Sequence, residues 1–175
     1  MEALGTLHDA TNKVLMDLRR CLSTIQRLAA QPFDTPDVGV QVLTSIRSET
    51  YEDINQIQHE YFILLAAQWL LDEGGCPAAT MWSWNPRQTG TLGEPDLQGR
   101  HNETIVVSAE ITTSAKPLGV IDTRMAKTLK KLSLTEGAKY YFVCTERMRR
   151  RASTKLAKAG WSIQVVLLPG HTHAL

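Results

Sequence analysis

The chain has 175 residues, and its 19 basic and 18 acidic side chains give a formal net charge of +1. This length suits one domain with a sizeable core, and the near neutrality means that net charge alone predicts no polyanionic partner. Three widely spaced cysteines argue against a disulfide framework or a zinc site and indicate a reducing compartment. The opening residues lack a signal-peptide pattern and the longest apolar run is too short to cross a bilayer, so we expect a cytoplasmic protein with no membrane partner.

Residues 4–29 carry apolar side chains at heptad spacing, which predicts an amphipathic helix. Two interpretations remain open, namely a helix that packs on its own domain and a helix that forms a homodimer. Pro32 and Pro36 predict the end of this helix and a linker. We therefore expect an N-terminal helix and linker over residues 1–48, followed by a main domain over residues 49–175. A homodimer is expected to form through the N-terminal helix or through the main domain.

The main domain is predicted to begin with a helix and then to alternate between strands and helices. The predicted helices span residues 49–72, 117–132 and 145–159. The predicted strands span residues 79–84, 94–97, 104–112, 139–145 and 162–168. This order predicts an α/β fold with a mixed central sheet flanked by helices, preceded by the N-terminal helical extension.

Two neighbouring predicted strands each present one carboxylate, Asp96 and Glu110. Alternation along the second strand places its apolar residues on one face and Glu110 on the other. If the two strands pair as a hairpin, both acids lie at one end of the sheet. Mg²⁺ prefers oxygen ligands and takes one or two protein carboxylates, so we expect Asp96, Glu110 and the backbone carbonyl of Ile111 to hold Mg²⁺ or Mn²⁺. A metal ion there would promote hydrolysis of a phosphodiester.

Pro95-Asp96, followed after thirteen residues by Glu110-Ile111-Thr112, resembles the motif of the PD-(D/E)XK nuclease superfamily, which includes restriction endonucleases, Holliday junction resolvases and repair nucleases. The predicted order of elements between residues 49 and 168 is similar to the core of that superfamily. The resemblance implies a restriction endonuclease-like fold. It also implies a Mg²⁺-dependent endonuclease that hydrolyses DNA, of the restriction or repair type.

The chain departs from this family at Thr112, where the motif has a lysine. A threonine hydroxyl does not supply the positive charge that stabilises a phosphate transition state. Lys116 and Lys127 are therefore candidates for the catalytic cation. Glu60 matches an acid that some members place near the metal, although an exposed surface acid is the other interpretation. The alternative function is a catalytically impaired nuclease fold that serves as a nucleic-acid-binding or assembly subunit.

Several polar and basic residues are candidates for contact with DNA. Four arginines begin the last predicted helix, where they oppose the helix dipole unless a phosphate or another anion is present. The loop near residue 87 is suited to reading base edges, although such a loop is often a plain surface turn. The predicted nucleic-acid contacts are Arg87, Gln88, Arg124, Lys131, Arg147, Arg149, Arg150 and Arg151.

Overall fold

The computed structural model of the chain describes residues 1–85 and 93–169. Its elements, in chain order, are β1 (Glu2–Ala3), α1 (Leu7–Ala29), α2 (Pro36–Asp72), β2 (Met81–Trp84), β3 (Leu97–His101), β4 (Thr104–Thr112), α3 (Val120–Ser133), β5 (Ala138–Val143), α4 (Glu146–Ala159) and β6 (Gln164–Leu167). The predicted α/β class is confirmed, and so is the predicted order of elements from the second helix onward. The short strand β1 was not predicted.

The six strands form one mixed sheet in the order β1-β2-β3-β4-β5-β6. Neighbouring strands are antiparallel from β1 to β4, whereas β5 and β6 run parallel to β4. The turn between β3 and β4 contains Asn102 and Glu103, whose φ angles of 48° and 63° are those of the tight turns that suit twisted hairpins. The helices α3 and α4 return the chain so that the later strands run parallel.

Helices cover both faces of the sheet. One apolar cluster lies between the helices α1 and α2 and the sheet, and it includes Val107, Ala109 and Ile111 of β4. A second cluster lies between the helices α3 and α4 and the opposite face, and it includes Tyr141 and Val143 of β5. The alternation predicted for β4 is therefore confirmed, and Glu110 points away from the α1–α2 layer.

The helix α2 begins at Pro36, so the prediction that it begins near residue 49 is wrong. Thr35 caps this helix by accepting a hydrogen bond from the N–H of Val38 at 3.4 Å. Proline is well suited to the first turn of a helix because the N–H that it lacks has no partner there. Pro36 therefore starts a helix instead of extending a linker, and the domain boundary predicted after residue 48 falls inside α2.

The helix α1 packs on its own domain. It buries Ala10, Val14, Cys21 and Leu28, and the first three belong to the same apolar cluster as Ile57 of α2. The two helices are antiparallel, since Lys13 pairs with Glu60 and Arg27 pairs with Glu49. We call this unit the α1–α2 hairpin. Its role in a homodimer stays a prediction.

Several predicted boundaries shift by a few residues. The strand β3 begins at Leu97, so Asp96 immediately precedes it. The helix α3 begins at Val120 and not at residue 117, so Leu118 lies before it and is exposed. Within the described residues, no helix is both long enough and apolar enough to cross a membrane.

Candidate functional site

Asp96 and Glu110 lie side by side on the β3–β4 hairpin. Leu97 pairs with Ala109 across the two antiparallel strands, so Asp96 is adjacent to Glu110, with Cα atoms about 5 Å apart in such a ladder. Both side chains are buried, with 2% of Asp96 and 4% of Glu110 exposed. The predicted hairpin pairing of the two acidic segments is therefore confirmed.

Asp96 is held in place by neighbours from two directions. Its Oδ2 accepts a hydrogen bond of 2.9 Å from the backbone N–H of Ile111. The same oxygen lies 3.4 Å from Nε2 of His59, a residue of α2. The backbone carbonyl of Asp96 also accepts a hydrogen bond from Asn85. This carboxylate is therefore fixed relative to both the sheet and α2.

Glu110 forms an ion pair with Lys131, which lies in the last turn of α3. The Lys131 ammonium also donates a hydrogen bond of 3.0 Å to the backbone carbonyl of Glu94. Burial and the neighbouring charge of Asp96 nevertheless raise the pKa of Glu110 to about 8, because together they outweigh the attraction of Lys131. The two acids therefore repel each other within a poorly solvated site.

At position 112, where the family motif has a lysine, the structure has a pair of hydroxyl groups. The Thr112 hydroxyl partly offsets the effect of burial on the pKa of the Tyr141 phenol, and its oxygen accepts a hydrogen bond from the N–H of Ser114. Burial raises the pKa of the Tyr141 phenol well above its usual value, so that group stays neutral. Position 112 therefore supplies polar contacts without a positive charge.

The two acids open into a cleft of about 850 Å³. The ends of β4 and β5 form its floor together with Asp96. The α2 wall consists of Tyr51, Glu52, Asn55, Gln56 and His59. The opposite wall consists of Ile121, Arg124, Met125, Lys127 and Thr128. Of the two candidates for the catalytic cation, Lys127 therefore lines the cleft and Lys116 does not. Of the predicted DNA contacts on α3, Arg124 lines the cleft and Lys131 does not.

Glu60 faces the helix α1. Its side chain is 1% exposed, and Lys13 donates hydrogen bonds to its two oxygens at 2.7 and 2.8 Å. The interpretation of Glu60 as an exposed surface acid is therefore wrong. In residues 1–85 and 93–169, no three side chains of histidine, cysteine, aspartate or glutamate form a group that is able to hold a metal ion. The candidate ligands that lie together are Asp96, Glu110 and the backbone of Ile111.

The arginines of α4 lie outside the cleft and have acidic neighbours within the chain. Arg149 and Arg150 pair with Glu146 in the first turn of the same helix. Arg151 pairs with Asp122 of α3, and its hydrogen bonds hold the pKa of that carboxyl well below its usual value. Arg147 is exposed. The arginines were predicted to bind phosphate because they oppose the dipole of α4, and these acidic neighbours already offset that unfavourable interaction. Contact of the α4 arginines with DNA stays a prediction. The predicted contacts Arg87 and Gln88 lie outside the described residues.

The sequence interpretation missed His59. No two histidines within a predicted helix or strand are spaced as metal ligands, so the sequence offered no reason to expect a histidine at the site. A signal was nevertheless present, since the polar residues at positions 52, 55, 56 and 59 share one side of a helix. That polar side is the α2 wall of the cleft.

No protein-family model, curated protein or solved structure matches this chain.

Proposed function

We propose that this chain is a Mg²⁺-dependent endonuclease that hydrolyses DNA phosphodiester bonds, with a restriction endonuclease-like fold of the PD-(D/E)XK type. The observation that carries this proposal is the buried pair of carboxylates, Asp96 and Glu110, at the floor of a polar cleft. The order of helices and strands around the pair supports the same conclusion. Two adjacent acids in a cleft are otherwise a costly arrangement, which a bound cation would relieve.

The residues present fit a hard divalent cation. Asp96 and Glu110 would hold Mg²⁺ or Mn²⁺ together with the backbone carbonyl of Ile111, leaving positions for water and a phosphate oxygen. Burial and the charge of Asp96 raise the pKa of Glu110, and a bound cation would counter both effects. When bound, the ion supplies charge neutralisation at the phosphate and lowers the pKa of a coordinated water.

Lys131 is the proposed source of the positive charge that Thr112 does not provide. Its ammonium contacts Glu110, whereas no contact of Lys116 or Lys127 with either acid is found among the described residues. A cation fixed beside the carboxylate pair is suited to stabilise charge that develops on a transferring phosphate. Lys127 and Arg124 lie on the wall of the cleft that α3 forms, and they are suited to contact phosphates of a bound DNA strand.

The first experiment compares cleavage of supercoiled plasmid, branched DNA and single-stranded DNA in Mg²⁺ or Mn²⁺. We expect cleavage by the wild-type protein and a loss of at least about 100-fold in Asp96→Asn, because a removed ligand charge weakens both metal binding and catalysis. Asp34→Asn is the matched control, since Asp34 is exposed in the connection between α1 and α2. The enzyme proposal fails if the wild-type protein cuts none of these substrates with either ion.

The second candidate function is that of a catalytically impaired subunit that binds nucleic acid. Its support is that Thr112 replaces the motif lysine and that Lys131, which contacts Glu110, does not line the cleft. Lys131→Met separates the two candidates. In an enzyme this change reduces cleavage while calorimetry still detects Mn²⁺ binding. In a binding subunit the wild-type protein retains DNA without cleaving it, and the variant changes only DNA affinity.

A further inference from the structure

Exposed apolar side chains are concentrated on the α1–α2 hairpin. Of the sixteen large apolar side chains that are exposed in the described residues, eleven lie between residues 15 and 61. Such a concentration is not explained by the core of the chain itself, because the same two helices already bury a separate set of apolar residues. Large exposed apolar patches mark interaction surfaces.

Six of these side chains lie on one side of the hairpin. On α1, Leu18 and Leu22 lie about 40° and 80° around the helix from the buried Val14. On α2, Tyr61 and Ile54 lie about 40° and 60° around the helix from the buried Ile57, in the same rotational sense. Because the two helices are antiparallel, rotation in the same sense away from the buried residues places the exposed apolar side chains of both helices on the same side of the hairpin. We call this surface the hairpin face, defined by Leu15, Leu18, Leu22, Leu43, Ile54 and Tyr61.

We propose that the hairpin face is the contact through which two copies of this chain form a two-fold symmetric dimer. An antiparallel pair of helices with an apolar stripe along one side is half of a four-helix bundle. A two-fold axis brings the same stripe of a second copy against it, so that one surface meets its own complement. This proposal is independent of the endonuclease proposal.

The size of the hairpin face agrees with a second copy as its occupant. Its six side chains are between 38% and 67% exposed. Together they leave on the order of 500 Å² in contact with solvent, which approaches the ~800 Å² that one partner contributes to a standard interface. Arg47 lies in the same row of α2 between Leu43 and Ile54, and its aliphatic stem is able to pack along the stripe while its guanidinium reaches the rim. No acidic residue interrupts the row formed by positions 43, 47, 54 and 61.

The dimer would leave both clefts accessible. Glu52 and Gln56 lie about 160° around α2 from Ile54. His59 lies about 140° from Ile54, whereas Tyr51 of the same wall lies about 60° from it. Most of the cleft wall therefore faces away from the hairpin face. Each copy therefore contributes α2 to the interface and to its own cleft. Loss of the dimer is expected to leave the cleft of each copy intact.

Sedimentation velocity over a concentration series tests the proposal. We expect a dimer for the wild-type chain and a dissociation constant at least about 100-fold higher for the double variant Leu22→Lys/Ile54→Lys, because two buried ammonium groups would face their own copies. Both positions are exposed in the single chain, so circular dichroism should show an unchanged fold. Leu134→Lys is the matched control, since Leu134 is 80% exposed and lies outside the hairpin.

Cysteine cross-linking gives a second readout, since residues near a two-fold axis meet their own copies. We expect Ile54→Cys or Leu22→Cys to form a disulfide between two chains under mild oxidation, and Leu134→Cys to form none. A wild-type chain that stays monomeric at every concentration overturns the proposal. So does a dimer that survives the double lysine change, or one that is cross-linked through position 134 alone.

Discussion

The chain contains two buried glutamates that each contact one lysine, and their surroundings differ. Glu60 accepts two hydrogen bonds from Lys13 and a third from Gln56. Burial lowers the pKa of Lys13, but its hydrogen bonds to Glu60 and Asp17 outweigh this effect and raise it. The charge of Glu60 is therefore balanced by Lys13, and this ion pair joins α2 to α1.

Glu110 also contacts a lysine, but it has Asp96 as a second acidic neighbour. Burial and the charge of Asp96 together outweigh the attraction of this one lysine, so the pKa of Glu110 rises to about 8. The comparison teaches that the second acid, and not burial or pairing alone, distinguishes a candidate cation site from a structural ion pair. Four predictions test this distinction.

The largest expected effect comes from Glu110→Gln. If the pair binds a catalytic metal ion, DNA cleavage falls by about 1000-fold, equivalent to roughly 4 kcal/mol in the activation free energy. The same change should raise the free energy of unfolding in the absence of divalent ions, because it removes a buried repulsion. Cleavage assays and urea unfolding measure the two effects. Reduced stability together with unchanged cleavage would contradict the role assigned to Glu110.

The second prediction concerns pH. The folded-state pKa of Glu110, about 8, lies above its ordinary value of 4.5, so its protonated form favours the folded state. Its contribution is therefore fully present below pH 4.5 and is lost as pH rises toward 8, by up to ~1.4 kcal/mol per pH unit. Urea unfolding in EDTA across this range, compared between the wild-type protein and Glu110→Gln, isolates that slope. An identical slope in both proteins would assign it to other groups.

The third prediction breaks the structural ion pair. Lys13→Met leaves Glu60 buried without its cation, and we expect the free energy of unfolding to fall by about 2–3 kcal/mol, after allowance for the partial exposure of Lys13. Lys130→Met, at an exposed position on α3, is the control. Chemical denaturation measures the difference. If the two variants are equally stable, the Lys13–Glu60 pair does not stabilise the α1–α2 hairpin.

The smallest effect is expected at His59. His59→Asn removes the imidazole that lies 3.4 Å from Asp96, and we expect cleavage to fall about tenfold, equivalent to ~1.4 kcal/mol, because Asp96 loses one of its positioning contacts. Stability should change little, since His59 lies at the cleft wall. Measurement of kcat and KM separately should place the loss mainly in kcat. A loss confined to KM would indicate contact with substrate instead.

Local sequence patterns predicted much of the fold. The extent of β4 is as predicted, because the alternation of apolar and polar residues from Val107 to Thr112 is typical of a strand. The bounds of α4 also agree, since Thr145 caps the helix and Gly160 ends it with a positive φ of 69°. The start of α2 was mispredicted because much of its first half is exposed to solvent and lacks a strong apolar stripe. Pro36 was then interpreted as a linker residue.

The candidate site was only partly predictable. The motif identified Asp96 and Glu110, which are close in sequence and joined by a hairpin. Lys131 was predicted as a DNA contact, yet it pairs with Glu110. Which turn of α3 approaches a carboxylate depends on how that helix lies against the sheet, and local periodicity carries no information about this. The same holds for His59.

Hydrophobic periodicity and turn residues act over short distances along the chain, so they were enough to predict the α/β class, the order of elements in the main domain and the hairpin that joins the two acids. The contacts of those two acids with other side chains depended on tertiary packing. Lys131 and Lys127 are one turn apart on the same helix, and Glu60 and His59 are consecutive residues. Lys131 contacts Glu110, whereas Lys127 does not. His59 lies 3.4 Å from Asp96, whereas Glu60 pairs with Lys13. Packing of helices against the sheet makes that choice, because it fixes the rotation and the position of each helix relative to the carboxylates.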